Sequence, residues 1–328
     1  MQIIRWGILG LGKIAHSFAA DLIEVEGARL QAVGSRDQEK ANAFAKAYSQ
    51  DDQPMPTAYS SYEELLQDPE IDVVYIATPH ALHLSNTLAS LDHGKAVLCE
   101  KPLGLNQAQI QRMMQRAQQQ KCFLMEAMWM QFLPHFRFVQ RLIQSGDFGA
   151  IRNITADFSF EGNFDPESRL YAKSLGGGAL LDVGIYPLYL ATALLGPPQK
   201  VQAKALLLEN GVDGSVSIRT NHAQGATANL SASIIEKGPL TARISCENGL
   251  IKIPRPFYKG DRVITILHGK ETHHDFGYVL KGYAHEIAHV NAALHAGKLE
   301  SEALPLQRSL ELMELMDQVK EQIGLHYA

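Results

Sequence analysis

Through the first ~125 residues, short apolar runs alternate with segments of helical spacing, the signature of a parallel α/β sheet. Ile3 to Leu9 reads as a strand, Lys13 to Glu24 as a helix, Leu30 to Gly34 as the next strand and Gln38 to Tyr48 as an alanine-rich helix. Asp51 to Pro56 is a polar, proline-containing loop. Ser61 stands where an N-cap would, with Glu63 and Glu64 in the first turn, where the helix dipole favours negative charge. Val73 to Ala77 and Ala96 to Cys99 are strands, separated by a helix through Leu84 to Leu91 that stops near Gly94. Gln107 to Gln120 is rich in glutamine, yet Ile110, Met113, Met114 and Ala117 keep one apolar face, so it reads as a helix.

The rhythm changes after Met125. Pro134 to Gln144 is one helix ending at Gly146, and Ile151 to Phe160 alternates like a half-exposed strand. Gly176-Gly177-Gly178 precedes a helix through Leu194. From Val201 to Leu267, short strand-like runs are broken by Asn-Gly, Asp-Gly and Lys-Gly turns, which predicts a mostly antiparallel sheet. Two helices close the chain, Tyr278 to Ala296 and Leu306 to Ile323. The pattern thus divides the chain into an α/β domain over 1–125, with a doubly wound parallel sheet, and an α+β domain over 126–328.

Composition narrows the function classes. The chain is 46% apolar and 20% charged, enough for a full core and unlike a disordered chain. A formal net charge of -5 argues against a general nucleic-acid binder, which needs a basic face. Cys99, Cys122 and Cys246 form no CxxC pair, so neither a disulfide framework nor a thiolate zinc site is expected. Cys99 and Cys122 fall in strand-like runs and read as core residues. The N-terminal residues enter a strand pattern at once, without a charged leader or cleavage site. No uninterrupted apolar run matches the thickness of a bilayer. The expectation is a cytoplasmic protein with neither a membrane nor a nucleic-acid partner.

The turn after the first strand carries the first chemistry. Gly10-Leu11-Gly12-Lys13-Ile14-Ala15 is G-x-G-x-x-A between a strand and a helix. In that context the first glycine makes the turn, the second lets a pyrophosphate approach the backbone and Ala15 permits close helix packing. Helix N-terminal amides then face the phosphates. The end of the second strand selects the cofactor. NAD binders place an acidic residue there for the ribose hydroxyls. Here Ser35 and Arg36 can bond a 2′-phosphate, and Lys40 adds charge, so NADP is expected and NAD is the alternative. Asp37 could instead take the ribose.

Glu100-Lys101-Pro102 lies past the carboxyl end of the strand that stops at Cys99, the edge that lines the ligand crevice of an open α/β sheet. A lysine there can hold a substrate hydroxyl. Thr78, Pro79, His80 and His83 follow the Val73 to Ala77 strand at the same edge.

The glycine turn, Thr78-Pro79-His80 with His83, and Gly94 through Pro102 resemble the glucose–fructose oxidoreductase/inositol dehydrogenase family. Met125-Glu126-Ala127-Met128-Trp129 and Gly176 through Pro187 resemble most its branch of dihydrodiol dehydrogenases and NADP-dependent D-xylose dehydrogenases. The resemblance covers nearly the whole chain. It implies a Rossmann domain followed by an α/β domain with a large open sheet, and a homodimer. It implies that Lys101 is the lysine of the family's E-K-P motif, and that Asp182 and Tyr186 stand in its D-x-G-x-H/Y motif. Tyrosine replaces the histidine of many members, which favours the dihydrodiol/xylose branch. It also lays Ala77, Thr78, Pro79, His80, His83, Glu100 and Lys101 along the cofactor.

The residues themselves agree with such chemistry. Asp182 and Tyr186, four apart in a helical segment, share a face. Tyrosine ionises near pH ~10, but the positive Lys101 and oxidised nicotinamide would favour tyrosinate. Tyr186 can then exchange the alcohol proton as hydride moves to or from the nicotinamide, and Asp182 can orient a hydroxyl or Lys101. Trp129 is either an apolar wall over the nicotinamide or substrate, or a core residue at the domain junction. Phe158, with Phe160 on the same face, either lines the substrate pocket or packs.

His285-Glu286-Ile287-Ala288-His289 spells H-E-x-x-H. On a helix both histidines could bind zinc. The extended metzincin pattern fails at Ala292, so no metal is expected, and a zinc hydrolase stands as a remote alternative. His273-His274 reads as a solvated loop pair. A non-enzymatic NADP-sensing regulator on the same fold is the other alternative. Internal cycling on a tightly held cofactor, as in periplasmic glucose–fructose oxidoreductase, is disfavoured by the absent leader. The predicted reaction is NADP(H)-dependent oxidation, reversibly, of a secondary alcohol or hemiacetal hydroxyl on a sugar or cyclic diol.

Overall fold

The computed structural model describes residues 3–50, 53–277 and 281–327. Its chain separates into two compact units. The first comprises residues 3–104, 108–132 and 281–310; the second comprises 105–107, 133–277 and 311–327.

The first unit is built on β1 (Ile4–Leu9), α1 (Lys13–Leu22), β2 (Ala28–Gly34), α2 (Gln38–Ala47), β3 (Thr57–Tyr59), α3 (Tyr62–Gln67), β4 (Val73–Ile76), α4 (His83–Asp92), β5 (Ala96–Glu100), α5 (Gln107–Gln120) and β6 (Leu124–Ala127). Its strands form one parallel sheet in the order β3-β2-β1-β4-β5-β6. The order reverses at β1 and β4, so the carboxyl ends of these strands flank a topological switch point, where such sheets bind ligands. β4, β5 and β6 are buried along their whole length, which is why they read as continuous apolar runs. The predicted cap of α3 is present: the Ser61 side chain accepts the Glu64 N–H at 3.2 Å. β3 is an element the sequence reading did not assign; three half-exposed residues carry too little pattern to be seen. Part of the Asp51 to Pro56 loop lies outside the described residues.

The second unit contains α6 (Pro134–Gln144), β7 (Ile151–Ser159), α7 (Ile185–Leu195), β8 (Lys200–Leu207), β9 (Asp213–Asn221), β10 (Thr227–Ser233), β11 (Ala242–Cys246), β12 (Gly249–Ile253), β13 (Arg262–Leu267) and β14 (Lys270–Asp275). These eight strands form one sheet in the order β14-β13-β12-β11-β7-β10-β9-β8. β7 and β10 run parallel and the other neighbours are antiparallel. Two helices end the chain, α8 (Ala284–His295) and α9 (Leu306–Ile323). The expected start of the first of these, at Tyr278, lies outside the described residues.

Three local readings change. Asp213-Gly214 is not a turn: the chain turns at Asn210 and Gly211, whose φ is +78°, and Asp213 opens β9. His273 and His274 are not in a loop but in β14. His274 Nε2 lies 3.0 Å from Thr265 Oγ1 on β13, a polar pair that hides the strand pattern. The helix after the glycine triplet is not regular. It opens as a π segment over Leu180–Gly184 before becoming α7. Pro187 then falls in the first turn of α7, where a missing N–H is tolerated. Residues 173–195 have the length and hydropathy of a bilayer span, with 78% of the most apolar window buried inside the fold. Their apolarity is that of a core helix.

Candidate active site

The glycine turn of the first unit lies tight against the loop after β4. Gly10 has φ +86°, and a Cβ there would stand 2.9 Å from the Ala77 carbonyl oxygen and the Thr78 nitrogen. Only glycine lets this turn lie against the loop after β4. At Gly12 a Cβ would meet nothing within 4 Å, and no side chain caps α1. Among the described residues, the first N–H groups of α1 thus take no side-chain cap at Gly12. Leu11 is buried, Ile14 half-buried and Lys13 exposed.

At the end of β2, Ser35 is buried and its Oγ accepts the Asp37 N–H at 3.2 Å. Asp37 caps α2 by accepting the Lys40 N–H at 3.1 Å. Its carboxylate is thus engaged in capping, while Arg36 and Lys40 are exposed on either side of it. A glycine cradle followed by a cationic strand end fits a dinucleotide.

Loops after β4 and β5 are strapped together by His83. This fully buried ring has Nδ1 2.8 Å from the Pro102 carbonyl oxygen and Nε2 3.0 Å from that of Thr78. Thr78 Oγ1 accepts from Asn86 at 3.0 Å, and buried His80 meets His83 edge to face at 5.6 Å. Ala77 is buried and Pro79 half-buried in the same loop.

Glu100 ends β5 with both oxygens engaged. Its Oε1 accepts the Tyr75 hydroxyl, and its Oε2 accepts the Lys101 N–H at 3.2 Å. Tyr75 stacks on Phe18 at 3.6 Å, and burial with the Glu100 charge pushes its hydroxyl pKa well up. Lys101 follows, half-buried, with a cis peptide to Pro102. Glu126 Oε1 accepts the Leu103 N–H at 2.9 Å. Burial raises the pKa of Glu126, and the Lys101 charge opposes that rise.

The H-E-x-x-H segment does not present a zinc site. Glu286 is fully buried, and neither of its carboxyl oxygens has a hydrogen-bond partner among the described residues. Burial, then the charges of Glu100 and Asp21, push its pKa well up. His285 is exposed, whereas His289 sits 2.7 Å from Ser301 Oγ and packs against Phe132. Among the described residues no group of three or more His, Cys, Asp or Glu side chains is placed to hold a metal. Trp129 is buried and stacks on Tyr283 at 4.8 Å within the first unit. Burial raises the thiol pKa values of Cys99 and Cys122, which keeps both protonated at neutral pH.

In the second unit the π segment presents Asp182, and α7 presents Tyr186, both buried. Arg169 Nη1 donates to Asp182 Oδ1 at 2.9 Å. Tyr186 lies in an aromatic cluster, 5.3 Å from Phe158 and 5.4 Å from Tyr258 between ring centroids. Phe158 and Tyr258 are stacked at 4.0 Å and 11°. The structure thus brings Asp182, Tyr186 and Phe158 into one unit, and Lys101 with the proposed cofactor residues into the other. Sequence reasoning missed Arg169 and Tyr258. Arg169 sits in an aperiodic polar stretch. Tyr258 sits in a short 3₁₀ turn over Phe257–Lys259, and neither position carries a pattern. Glu126 was also passed over as chemistry; a glutamate inside the apolar run Leu124–Ala127 was the available signal.

Comparison with known proteins shows the family. Residues 4–128 match the oxidoreductase family with an NAD-binding Rossmann fold, and residues 136–252 match the GFO/IDH/MocA C-terminal domain. The chain is 36% identical to the trans-1,2-dihydrobenzene-1,2-diol dehydrogenase of Xenopus tropicalis, over 98% of this chain and 99% of that one. It is 32% identical to the enzyme of that name from Homo sapiens, over 99% and 98%. In fold it resembles aldose-aldose oxidoreductase from Caulobacter crescentus, with TM-score 0.89, 24% identity and 98% of both chains covered. KijD10, a 3-ketoreductase from Actinomadura kijaniata solved with NADP and TDP-benzene, gives TM-score 0.88 at 24% identity over 98% of both chains. A parallel nucleotide-binding sheet, an eight-stranded second sheet and full-length dehydrogenase relatives make this chain an NAD(P)-dependent dehydrogenase acting on CH–OH groups, and it belongs to the GFO/IDH/MocA oxidoreductase family.

Proposed function

We propose that the protein interconverts a secondary alcohol or hemiacetal hydroxyl and its carbonyl form, on a cyclic diol or sugar, with NADP(H). The observation that carries this reading is Tyr186 beside stacked Phe158 and Tyr258, four residues beyond an Asp182 held by Arg169. A flat apolar wall suits a carbon ring, and the polar pair suits its hydroxyl groups.

Bound NADP⁺ would supply the hydride acceptor. The glycine turn and the N-terminus of α1 would hold its pyrophosphate, and Ser35, Arg36 and Lys40 the 2′-phosphate. Asp37 is already engaged as a cap, which favours the 2′-phosphate over a ribose diol at this strand end. Ala77, Thr78, Pro79, His80 and His83 would run along the ribose and nicotinamide, ending at Glu100 and Lys101.

In oxidation, the Tyr186 hydroxyl oxygen takes the alcohol proton; in reduction it returns it. The Lys101 ammonium would hold the reacting oxygen. Asp182 orients a neighbouring hydroxyl. Glu100, fixed by Tyr75, anchors the backbone at Lys101. Full-length dehydrogenase relatives favour this enzyme over a cofactor sensor.

The protein is proposed to act in the cytoplasm as a homodimer; light scattering at the mass of a single chain would remove the dimer. The functional test is a turnover screen of trans-1,2-dihydrobenzene-1,2-diol, aldoses, inositols and dicarbonyls with NADP(H) and NAD(H). Turnover of the diol or an aldose with NADP(H) is expected. No turnover of any of them would overturn the reading.

A further inference from the structure

No step above uses the carboxylate of Asp213. It opens β9 opposite Leu207 of β8 and is fully buried. Its Oδ2 accepts the N–H of Leu180 at 2.6 Å, at the first residue of the π segment that carries Asp182. Its Oδ1 has no hydrogen-bond partner among the described residues and occupies the space beside Gly178. A Cβ on Gly178 would stand 2.2 Å from that oxygen and 3.1 Å from the Tyr327 hydroxyl oxygen. The Tyr327 hydroxyl donates to the Gly177 carbonyl at 2.6 Å. Two side chains distant in sequence thus hold this stretch on either side of Gly178, Tyr327 at Gly177 and Asp213 at Leu180. Gly178, with φ +121°, is the residue that allows it.

The first N–H groups of a helix lack internal acceptors and carry the positive end of its dipole. A carboxylate there is both acceptor and counter-charge. Yet burying one with an oxygen unpartnered is unfavourable, and packing alone would be met as well by an uncharged side chain. We infer that Asp213 is a positioning residue: its carboxylate clamps the start of the segment that presents Asp182 and Tyr186, with Tyr327 closing the glycine turn behind it. This rests on the roles proposed above for Asp182 and Tyr186.

Burial pushes the Asp213 carboxyl up to about 7, against the lowering by the N–H groups of Leu180 and of Asp213 itself. Around it, Tyr327 of the C-terminal segment feels the Asp213 charge, which adds to burial in raising its own pKa. Lys173, on the 3₁₀ turn before the glycines, is exposed and lies against Gly211, two residues from Asp213. Asp182 lies two residues beyond Leu180 on the segment itself, bonded to Arg169. β8 places apolar Leu207 opposite, and β10 pairs with β9 only from Ser215 onward. The clamp is therefore strongest in the ionised form, since a charged acceptor holds the Leu180 N–H more firmly.

The test compares the full-length parent with Asp213→Asn, Asp213→Leu and Tyr186→Phe. Oxidation of trans-1,2-dihydrobenzene-1,2-diol with NADP⁺ is followed from pH 6 to 9, together with NADPH binding and hydrogen exchange over 178–186. Asn keeps an acceptor of the same shape but no charge. It should lower kcat about tenfold at pH 8, leave NADPH affinity within about twofold, and flatten the rise of kcat through pH 7. Leu should cost more and speed exchange over 178–186. If Asp213→Leu does not fold, Asp213→Asn decides alone. Asp213→Asn with the parent's kcat and pH profile, while Tyr186→Phe has lost turnover, would overturn the positioning role only. Full turnover by Tyr186→Phe would overturn the underlying assignment of Tyr186 instead.

Discussion

Arg169 reaches out of an irregular stretch to hold Asp182 at 2.9 Å, with the arginine side chain 57% exposed and the aspartate 9% exposed. The pair is asymmetric: the carboxylate is fixed in the fold, and the guanidinium meets solvent. Exposed partners contribute little to folding. Arg169→Ala should therefore lower thermal stability only slightly and loosen the hold on Asp182. The expected result is a drop of about tenfold in kcat/KM for the diol, or ~1.4 kcal/mol of transition-state stabilisation. Steady-state kinetics beside a melting curve separates the two effects. A fall in melting temperature large enough to explain the lost activity would contradict the role given to this pair.

The end of β2 makes a separate prediction. Asp37 spends its carboxylate on capping α2, and Arg36 is exposed beside it. A bond from arginine to phosphate is worth ~1.5–3 kcal/mol. Arg36→Ala should raise the dissociation constant for NADPH by ~10- to 100-fold and that for NADH by no more than a few-fold. Fluorescence titration with both nucleotides checks this. Equal weakening of the two would assign Arg36 no contact with the 2′-phosphate.

Tyr186→Phe removes one oxygen from a ring that Phe158 and Tyr258 already pack. The fold should be kept, because the aromatic faces are kept. Turnover should fall by ~10²-fold or more, the usual scale of a lost acid/base group, with NADPH affinity near that of the parent. Circular dichroism, nucleotide titration and turnover at pH 8 together make the check.

These residues also show what the sequence revealed. The parallel sheet was legible because its strands are buried on both faces and its helices keep an apolar stripe. Gly10 and Gly12 announced themselves by type and spacing; Gly10 has a positive φ, and a Cβ at Gly12 would meet nothing within 4 Å. Lys101 was singled out by its place at the carboxyl end of β5 and by motif resemblance, and Asp182 and Tyr186 by motif resemblance. Arg169 and Tyr258 could not be found, because their proximity to Asp182 and Tyr186 comes from loops without periodicity. Asp213 was misread for a more instructive reason. Asp-Gly is a common turn pair, and only tertiary packing shows that this aspartate belongs to a strand and caps a helix. The π segment was hidden likewise, since its residues have ordinary helical spacing in sequence.

The H-E-x-x-H segment gives a metal prediction. His289 is turned to Ser301, and Glu286 is enclosed in the first unit. Exhaustive chelation should change neither turnover with NADP(H) nor melting temperature. Zinc removed in parallel with activity would restore the hydrolase reading.

Glu286 itself makes the pH prediction. Its pKa lies well above 4.5 in the fold, chiefly through burial and then through the charges of Glu100 and Asp21. The folded protein therefore keeps a proton on Glu286 that the unfolded chain releases above pH ~4.5. With more protons bound in the folded state, stability declines as pH rises from there through the folded pKa. Glu286→Gln keeps the shape and cannot ionise, so it escapes that decline. The melting temperature of the variant minus that of the parent should be smallest near pH 5 and grow as pH rises, until the pH has passed the folded pKa. A difference independent of pH would mean that Glu286 is already ionised in the folded protein, with a counter-charge to hold it. The protonated form is the one that suits its place, since a neutral carboxyl beside Glu100 leaves the negative charge there to the carboxylate that accepts the Tyr75 hydroxyl and the Lys101 N–H.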